Sequence, residues 1–202
     1  MPLRAPIFDV GEPPRHVHFI TSGMASTVTT LRGGDAVEVA ISGREGFPEA
    51  LHVLGPQTGE IRSFMQVEGT ALRMDFKRFV DEFHRNEVLR NLVLRYVQSE
   101  SLVMAQLSAC NRLHEVEERL ARWLLMVSDR IESTRMQLTQ EFLAEMIGAR
   151  RSTVTIAAGT LQRSGIIEYS RGKIAILDRT SLTDAACECY PVADRLFTTL
   201  YL

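Results

Sequence analysis

The stretch that decides the fold is Leu138-Thr-Gln-Glu-Phe-Leu-Ala-Glu-Met-Ile-Gly148-Ala-Arg-Arg-Ser-Thr-Val154-Thr-Ile-Ala-Ala-Gly-Thr-Leu161. Thr139 is a suitable N-cap for a first helix over residues 140–147, because its hydroxyl can accept a hydrogen bond from a free backbone amide. Gly148 can end that helix, since glycine readily takes the left-handed conformation. A second helix is predicted to begin near Arg151.

Small and apolar residues fall where two crossing helices would need them. Ala144 lies four residues before Gly148, where a large side chain would push the helices apart. Val154 lies six residues after Gly148, where a β-branched side chain fills the gap, and Ile147 and Leu161 complete the small core. This register predicts a helix-turn-helix. An ordinary helical hairpin is the alternative.

The first turn of the second helix is polar and basic, whereas the opposite face of the helix is apolar. Recognition helices place this turn against base edges in the major groove of DNA. Arginine can form two hydrogen bonds to guanine, and serine and threonine reach bases or phosphates. The predicted DNA-binding residues of this helix are Arg150, Arg151, Ser152, Thr153 and Thr155.

Two β-branched runs follow the second helix and flank a short turn, Ser170-Arg-Gly-Lys173. This pattern predicts a β-hairpin, the wing of a winged helix. Arg171 and Lys173 lie at its tip, where positive charge suits the phosphate backbone. A solubilising loop is the alternative for the tip taken alone.

The local charge supports an interaction with DNA, although the overall charge does not. The 202 residues carry a formal net charge of -2. Residues 149–173, however, hold five basic side chains against the single acid Glu168. Phosphate contact needs only such a local excess of positive charge.

Upstream, glycine and proline are absent from Met74 to Ile131, which predicts helices. The first should run from about Asn86 to Asn111 and the second over 115–130, with a hinge near residues 112–114. An apolar stripe on such a long helix packs either on its own domain or on a copy of itself. We favour a two-fold dimer. The predicted dimerisation residues are Leu92, Tyr96, Val103 and Leu107.

Residues 1–80 consist of short β-branched and apolar runs separated by glycine or proline. Such runs predict a β sandwich, jelly roll or barrel. The predicted strands are 16–21, 25–31, 36–42, 61–68 and 71–75, with a hairpin turn at residues 31–35. The chain is therefore expected to be α+β, with an N-terminal β domain, a long helix and a C-terminal winged helix-turn-helix.

The three cysteines favour a reducing cytoplasm over a disulfide framework, because their number is odd. Cys187-Glu-Cys189 lacks the C-x2-C spacing of four-thiolate zinc sites, so we expect small, partly buried thiols and no metal site. Met1–Val10 has no apolar signal segment, and no apolar run is long enough to span a membrane. No cofactor is expected.

Two other classes of function remain open. The β-rich half could be a cupin-like metal enzyme, since His16 and His18 share one strand face. Such sites, however, place a glutamate where Ser22 and Gly23 stand, and no paired-carboxylate, nucleophile-triad or nucleotide-loop pattern occurs. No catalytic residue is therefore predicted. The second alternative is an adaptor whose winged helix binds protein, which would lack salt-dependent affinity for DNA.

The chain resembles the Crp/Fnr family of transcription regulators over essentially its whole length. The resemblance rests on three stretches: Leu138–Leu177, Cys110-Asn-Arg-Leu-His114 with Arg119-Leu-Ala-Arg-Trp-Leu-Leu125, and Ala185-Ala-Cys-Glu-Cys-Tyr190. It implies a jelly-roll effector domain related to cyclic-nucleotide-binding domains, a dimer along the central helix and a palindromic operator. The corresponding parts would be residues 1–84, 85–112 and 113–202. RNA polymerase and an unidentified small-molecule effector would be further partners.

The resemblance is incomplete at the effector site and on the recognition helix. Cyclic-nucleotide binders of the family carry a Gly-Glu pair and a later Arg-Ser, for which this chain offers Glu49, Arg62 and Ser63. The glutamate is displaced and Pro48 removes a backbone donor. No cysteine precedes Cys110, so the family's N-terminal iron–sulfur cluster is not expected. Ser152 and Ile156 replace an acid and an arginine of the recognition helix, which predicts a different target sequence.

Overall fold

The computed structural model describes residues 1–34, 36–55 and 58–200. Its N-terminal part contains one antiparallel sheet in the strand order β1–β4–β2–β3. These strands are β1 (Pro6–Phe8), β2 (His16–Thr30), β3 (Ala36–Ser42) and β4 (Ile61–Asp75), and a 3₁₀ helix covers Ala50–Leu54. The predicted hairpin turn joins β2 to β3, although its last residue, Asp35, lies outside the described residues.

The strands are fewer and longer than predicted, because Gly23 and Gly69, at which strand ends were expected, lie within strands. Residues 16–30 form one strand and residues 61–75 another. A Cβ on Gly69 would lie 1.9 Å from the carbonyl oxygen of Ser22, and one on Gly23 would lie 2.5 Å from that of Glu68. The register shifts at this point. The glycines therefore allow two strands to approach closely at a bulge, and do not end them.

Three helices follow: α1 (Phe76–Arg85), α2 (Glu87–Leu113) and α3 (Val116–Ile131). Local caps set their limits. Asn86 accepts a hydrogen bond from the Leu89 amide at 3.1 Å, and Glu115 and Glu118 form a capping box at the start of α3. The extended backbone of His114 separates α2 from α3, at the hinge predicted from the sequence.

Part of the predicted dimerisation stripe on α2 packs inside the protomer. Tyr96 and Val103 are only 2% and 5% exposed, and both lie in the chain's own core. Tyr96 stacks on Phe47 and leaves no room for a side chain at Gly46, where a Cβ would lie 2.0 Å from the ring. Two of the four residues are therefore covered by the protomer itself.

The C-terminal part contains β5 (Arg135–Gln137), α4 (Gln140–Ile147), α5 (Arg151–Arg163), β6 (Ile167–Ser170), β7 (Lys173–Ile176), α6 (Arg179–Ala185) and α7 (Cys189–Thr198). Its three strands form a second antiparallel sheet in the order β5–β7–β6. The apolar side of α3, with Leu120, Leu124 and Val127, connects the two parts in one core. In the described part of the chain, no helix combines the length and the apolar character that crossing a membrane requires.

Candidate nucleic-acid interface

The turn between α4 and α5 forms as the sequence predicts. The Thr139 hydroxyl accepts a hydrogen bond from the Phe142 amide at 3.2 Å and caps α4. Gly148 ends α4 with φ +62°, in the left-handed region. The guanidinium of Arg119 donates a hydrogen bond to the Ile147 carbonyl, and so satisfies one of the free acceptors at this helix end. Gly148 also lies against the N-terminal sheet, because a Cβ there would be 2.7 Å from Val37.

The small core of the two helices has the predicted composition. Ala144, Ile147, Val154 and Leu161 are all buried. The alternative of an ordinary helical hairpin is not favoured, because a glycine turn and a β-hairpin complete the motif in the expected order.

The predicted recognition residues lie on one exposed surface at the start of α5. Arg150, Arg151, Ser152, Thr153 and Thr155 are all exposed. Arg151 forms an ion pair with Glu141 at 2.6 Å, and Thr155 donates a hydrogen bond to the Gln140 side chain at 2.9 Å. Because the two charged side chains are 61% and 70% exposed, their pairing contributes only about 0–1 kcal/mol. Arg151 can therefore leave Glu141 to contact another group at a small cost in free energy.

The wing is a tight hairpin with its charges outward. Ser170 pairs with Lys173, and the two residues between them both have positive φ: +51° at Arg171 and +74° at Gly172. This geometry matches a two-residue hairpin turn whose twist fits the flanking strands. Arg171 and Lys173 are exposed.

Backbone and side-chain contacts hold the wing beside the start of α4. The Leu138 amide donates to the Gly172 carbonyl at 2.7 Å, and the Tyr169 hydroxyl donates to the Leu138 carbonyl at 3.0 Å. Partial burial raises the pKa of Tyr169, so the phenol keeps its proton and remains a donor. Arg151 and Arg171 consequently line the same open cleft. The structure thus combines the predicted helix and wing into one concave basic surface.

Ile156 is an additional exposed residue on α5, with 67% of its surface accessible. A β-branched apolar side chain on this polar helix face gains nothing from water. The methyl group of thymine is the apolar feature of the major groove, to which an exposed apolar side chain on a helix of this kind is complementary.

The three predicted effector-binding residues do not form one site. Glu49 is fully buried and accepts two hydrogen bonds from His18, near the start of β2: one from the backbone amide and one from the ring. Arg62 and Ser63 pair with Val28 and Thr27, near the other end of β2. Ser63 donates to the Ser26 carbonyl. The carboxylate that would hold a ligand is therefore enclosed by the protein.

Arg62 instead links the N-terminal sheet to the helix-turn-helix. Its guanidinium lies 3.4 Å from Glu145 on α4 and 5.1 Å from the centre of the Phe64 ring. The histidine pair considered for a cupin-like site is also engaged otherwise, since His18 Nδ1 lies 2.6 Å from buried Glu49. Among the described residues, His16 and His18 belong to no group of three converging ligand atoms.

A cluster at the end of α2 was not predicted from the sequence, which indicated small, partly buried thiols and no metal site. The structure brings Cys110, His114, Cys187 and Cys189 together. The local signals were the four-residue step from Cys110 to His114 and the Cys187-x-Cys189 pair. Because Cys110 and Cys187 are 77 residues apart, no local pattern could join these two signals.

A helix-turn-helix followed by a basic β-hairpin defines the winged helix-turn-helix class of DNA-binding domain. Residues 118–185 match the family profile described as the Crp-like helix-turn-helix domain. No curated protein matches the sequence.

Solved structures resemble the chain over almost its whole length. A transcriptional regulator of the CRP family from Thermus thermophilus has a TM-score of 0.76 and 18% identity, covering 92% of this chain and 95% of that one. The c-di-GMP-responsive regulator CLP of Xanthomonas campestris has a TM-score of 0.70 and 16% identity, covering 87% and 91%. FixK2 of Bradyrhizobium japonicum has a TM-score of 0.67 and 16% identity, covering 92% and 94%. The chain therefore has the fold of the Crp/Fnr transcriptional regulators.

Proposed function

We propose that this chain is a sequence-specific transcription regulator of the Crp/Fnr type, which binds an inverted-repeat DNA operator as a homodimer in the cytoplasm. The observation that carries the proposal is the concave basic surface formed by the start of α5 and the wing. Arg151, Ser152 and Thr155 read base edges, while Arg150, Arg171 and Lys173 contact phosphates. We propose RNA polymerase as a further partner. We propose no catalytic activity for the chain.

The exposed side of α2 supplies a dimer surface. Val88, Leu102 and Leu113 are 70%, 49% and 76% exposed. Leu102, the exposed Ala105 and Ala109, and Leu113 follow one another at three- and four-residue steps, which is the spacing of a coiled-coil seam. Val88 lies two heptads before Leu102 and so shares its side of the helix. Small alanines allow two helices to approach closely. The proposed dimer contact therefore lies about a third of a turn of the helix from the predicted stripe, of which only Leu92, 37% exposed, lies at its edge.

Direct contacts between the sheet and the helix-turn-helix provide a route for regulation. Arg62 reaches Glu145, the Ser26 hydroxyl lies 3.7 Å from the Met146 sulfur, and Gly148 packs on Val37. A ligand that altered the sheet would therefore alter the position of α4 as well. We propose residues 1–84 as the sensor of an unidentified effector, residues 85–112 as the dimerisation helix and residues 113–202 as the DNA-binding domain.

Selection of bound sequences from random duplex DNA by the purified full chain tests the proposal. We expect an enriched inverted repeat whose half-sites lie about one helical turn, or ~34 Å, apart. The affinity for the selected sequence should fall steeply as the salt concentration rises. Arg163, which lies at the far end of α5, provides a matched control, because Arg163→Ala should bind the same sequence as the unmodified chain.

No enrichment combined with a shallow salt dependence would contradict DNA binding, and would favour a winged helix that binds protein. No enrichment combined with a steep salt dependence would contradict sequence-specific binding by the effector-free chain. It would still indicate that the basic surface binds DNA phosphates.

A further inference from the structure

Four potential metal ligands converge at the junction of α2, α6 and α7. The Sγ atoms of Cys110, Cys187 and Cys189 and a ring nitrogen of His114 all lie within 4.8 Å of one another. Cys110 Sγ is 3.5 Å from Cys187 Sγ, and Cys189 Sγ is 3.7 Å from His114 Nδ1. In a tetrahedral zinc site with Zn–S bonds of about 2.3 Å, neighbouring sulfur atoms are ~3.8 Å apart. These two distances are close to the edge of such a tetrahedron, and all four ligand atoms lie near enough to converge on one ion.

The local structure explains this convergence. Cys110 and His114 are four residues apart at the C-terminal end of α2, so their side chains lie on one face of the helix. Cys187 lies in the link between α6 and α7, and Cys189 is the first residue of α7. All three cysteines are buried, and His114 is half-buried.

The surrounding side chains suit bound metal and thiolates. His114 Nε2 lies 3.2 Å from the Glu188 carboxylate, which leaves Nδ1 directed at the sulfur atoms. A carboxylate on the second ring nitrogen is the usual arrangement around a metal-binding histidine. Gln106 donates a hydrogen bond to Cys189 Sγ at 3.1 Å. These contacts orient two of the four ligands.

Buried positive charge nearby balances a thiolate cluster. Arg119 and Arg122, on α3, are 6% and 3% exposed, and the Nε atom of each has no hydrogen-bond partner. Neither is paired with a carboxylate among the salt bridges of the described residues. Arg122 interacts electrostatically with Cys110, and Arg119 with Cys110 and Cys187. Three thiolates around one divalent cation carry one net negative charge, which these guanidinium groups would compensate.

We propose that Cys110, His114, Cys187 and Cys189 form a closed tetrahedral Cys3His site for one zinc ion. Sulfur-rich tetrahedral sets select zinc, and four protein ligands leave no position for a reacting water, which is typical of structural sites. Binding releases three thiol protons to solvent and leaves the histidine neutral. The ion would bind α7 to the end of α2, beside the hinge that leads into α3, and so fix the DNA-binding domain against the long helix.

Metal analysis of the full chain, purified in reducing buffer without chelator, tests the proposal independently of DNA binding. We expect about one zinc per protomer. Cys187→Ser and Cys189→Ser should each lose most of the bound zinc. His84→Asn, which changes an exposed histidine on α1, is the matched control and should retain it.

Cobalt substitution of the unmodified chain keeps the test valid even if the cysteine variants do not fold. Cobalt(II) in the site should show the visible absorption of a tetrahedral centre together with sulfur-to-cobalt charge transfer. Less than about one tenth of a metal ion per protomer, with no cobalt spectrum after addition of Co²⁺ to the reduced protein, would overturn the proposal.

Thiol titration of the denatured protein, with chelator and without reductant, separates the zinc site from a disulfide. The zinc form should yield all three thiols. A single thiol would identify a disulfide between two of the cysteines and would overturn the proposal.

Discussion

Arg151 is the residue at which the proposed sequence recognition is most open to test. Its guanidinium is exposed, lines the cleft beside the wing and forms an ion pair with exposed Glu141. If Arg151 reads guanine, Arg151→Ala should weaken binding by ~1–3 kcal/mol, or roughly 5- to 150-fold, for each half-site of the operator, and relax the preference at one base position of each half-site. Fluorescence anisotropy with a set of single-base operator variants measures both effects. An equal loss on every sequence would instead identify a phosphate contact.

Glu100 should make stability depend on pH. It is 6% exposed and accepts a hydrogen bond from the Tyr96 hydroxyl at 2.8 Å. Burial raises its pKa to about 7; Glu45 adds to the increase, whereas the Tyr96 hydrogen bond and Arg130 oppose it. Between pH ~4.5 and ~7 the folded state keeps a proton that the unfolded state loses, so the free energy of unfolding should fall as pH rises.

The expected loss attributable to Glu100 is on the order of 3 kcal/mol across this window. Glu100→Gln keeps an acceptor for Tyr96 but cannot titrate, so its unfolding free energy should fall less between pH 5 and pH 8. Burial also raises the pKa of Glu38 to about 7. The unfolding free energy of Glu100→Gln should therefore still depend on pH, through Glu38. Urea unfolding at fixed protein concentration measures the difference, with exposed Glu82→Gln as the control. Equal pH slopes in Glu100→Gln and the unmodified chain would contradict the assignment.

The wing is an element whose charge can be changed without changing its shape. Arg171 has φ +51°, a conformation that asparagine tolerates well. Arg171→Asn should therefore preserve the hairpin, weaken binding to all sequences alike and reduce the slope of log affinity against log salt by about 1 for each protomer, or about 2 for the dimer. Arg85→Gln, on α1, is a control with the same change of charge outside the interface. An unchanged slope in Arg171→Asn would show that the wing does not touch phosphate.

The elements themselves differ in how far sequence could predict them. The limits of α4 and the wing follow from residues close in sequence: Thr139 caps the helix, Gly148 ends it, and Gly172 turns the hairpin. The long strands were missed because Gly23 and Gly69 allow close approach between two strands that meet only in the folded sheet. A glycine that turns the chain and one that admits a neighbouring strand look alike in sequence.

Helix faces and binding sites that combine residues far apart in sequence could not be predicted either. Helical periodicity identified an apolar stripe on α2, but it could not show that Tyr96 packs on Phe47 of the same chain. The periodicity therefore assigned to a dimer two residues, Tyr96 and Val103, that the protomer itself covers. The cysteine cluster was not predicted for a related reason, because Cys110 and Cys187 come into contact only when α7 packs on α2. Motifs formed by neighbouring residues were therefore predictable, whereas the distant residues that pack against them were not.

At the scale of the whole molecule, the exposed seam of α2 should decide whether two DNA-binding domains act together. Leu102 is 49% exposed near the middle of this seam, so Leu102→Glu would bury like charges opposite each other in a two-fold dimer. We expect a monomer by sedimentation equilibrium, with the fold unchanged by circular dichroism. Binding to the inverted repeat should fall at least ~100-fold, because the second half-site no longer adds its affinity to the first.

The variant should still bind a single half-site with the affinity of one domain, and its salt dependence should be about half that of the dimer. Leu72→Glu is the matched control, because Leu72 is an exposed leucine, 69% accessible, that belongs to β4 and not to the α2 seam. It should remain dimeric and bind the full operator normally. A Leu102→Glu chain that stays dimeric would place the two-fold contact elsewhere, because a buried pair of like charges at the seam would not be tolerated. The separation of the two recognition helices would then depend on a surface other than α2.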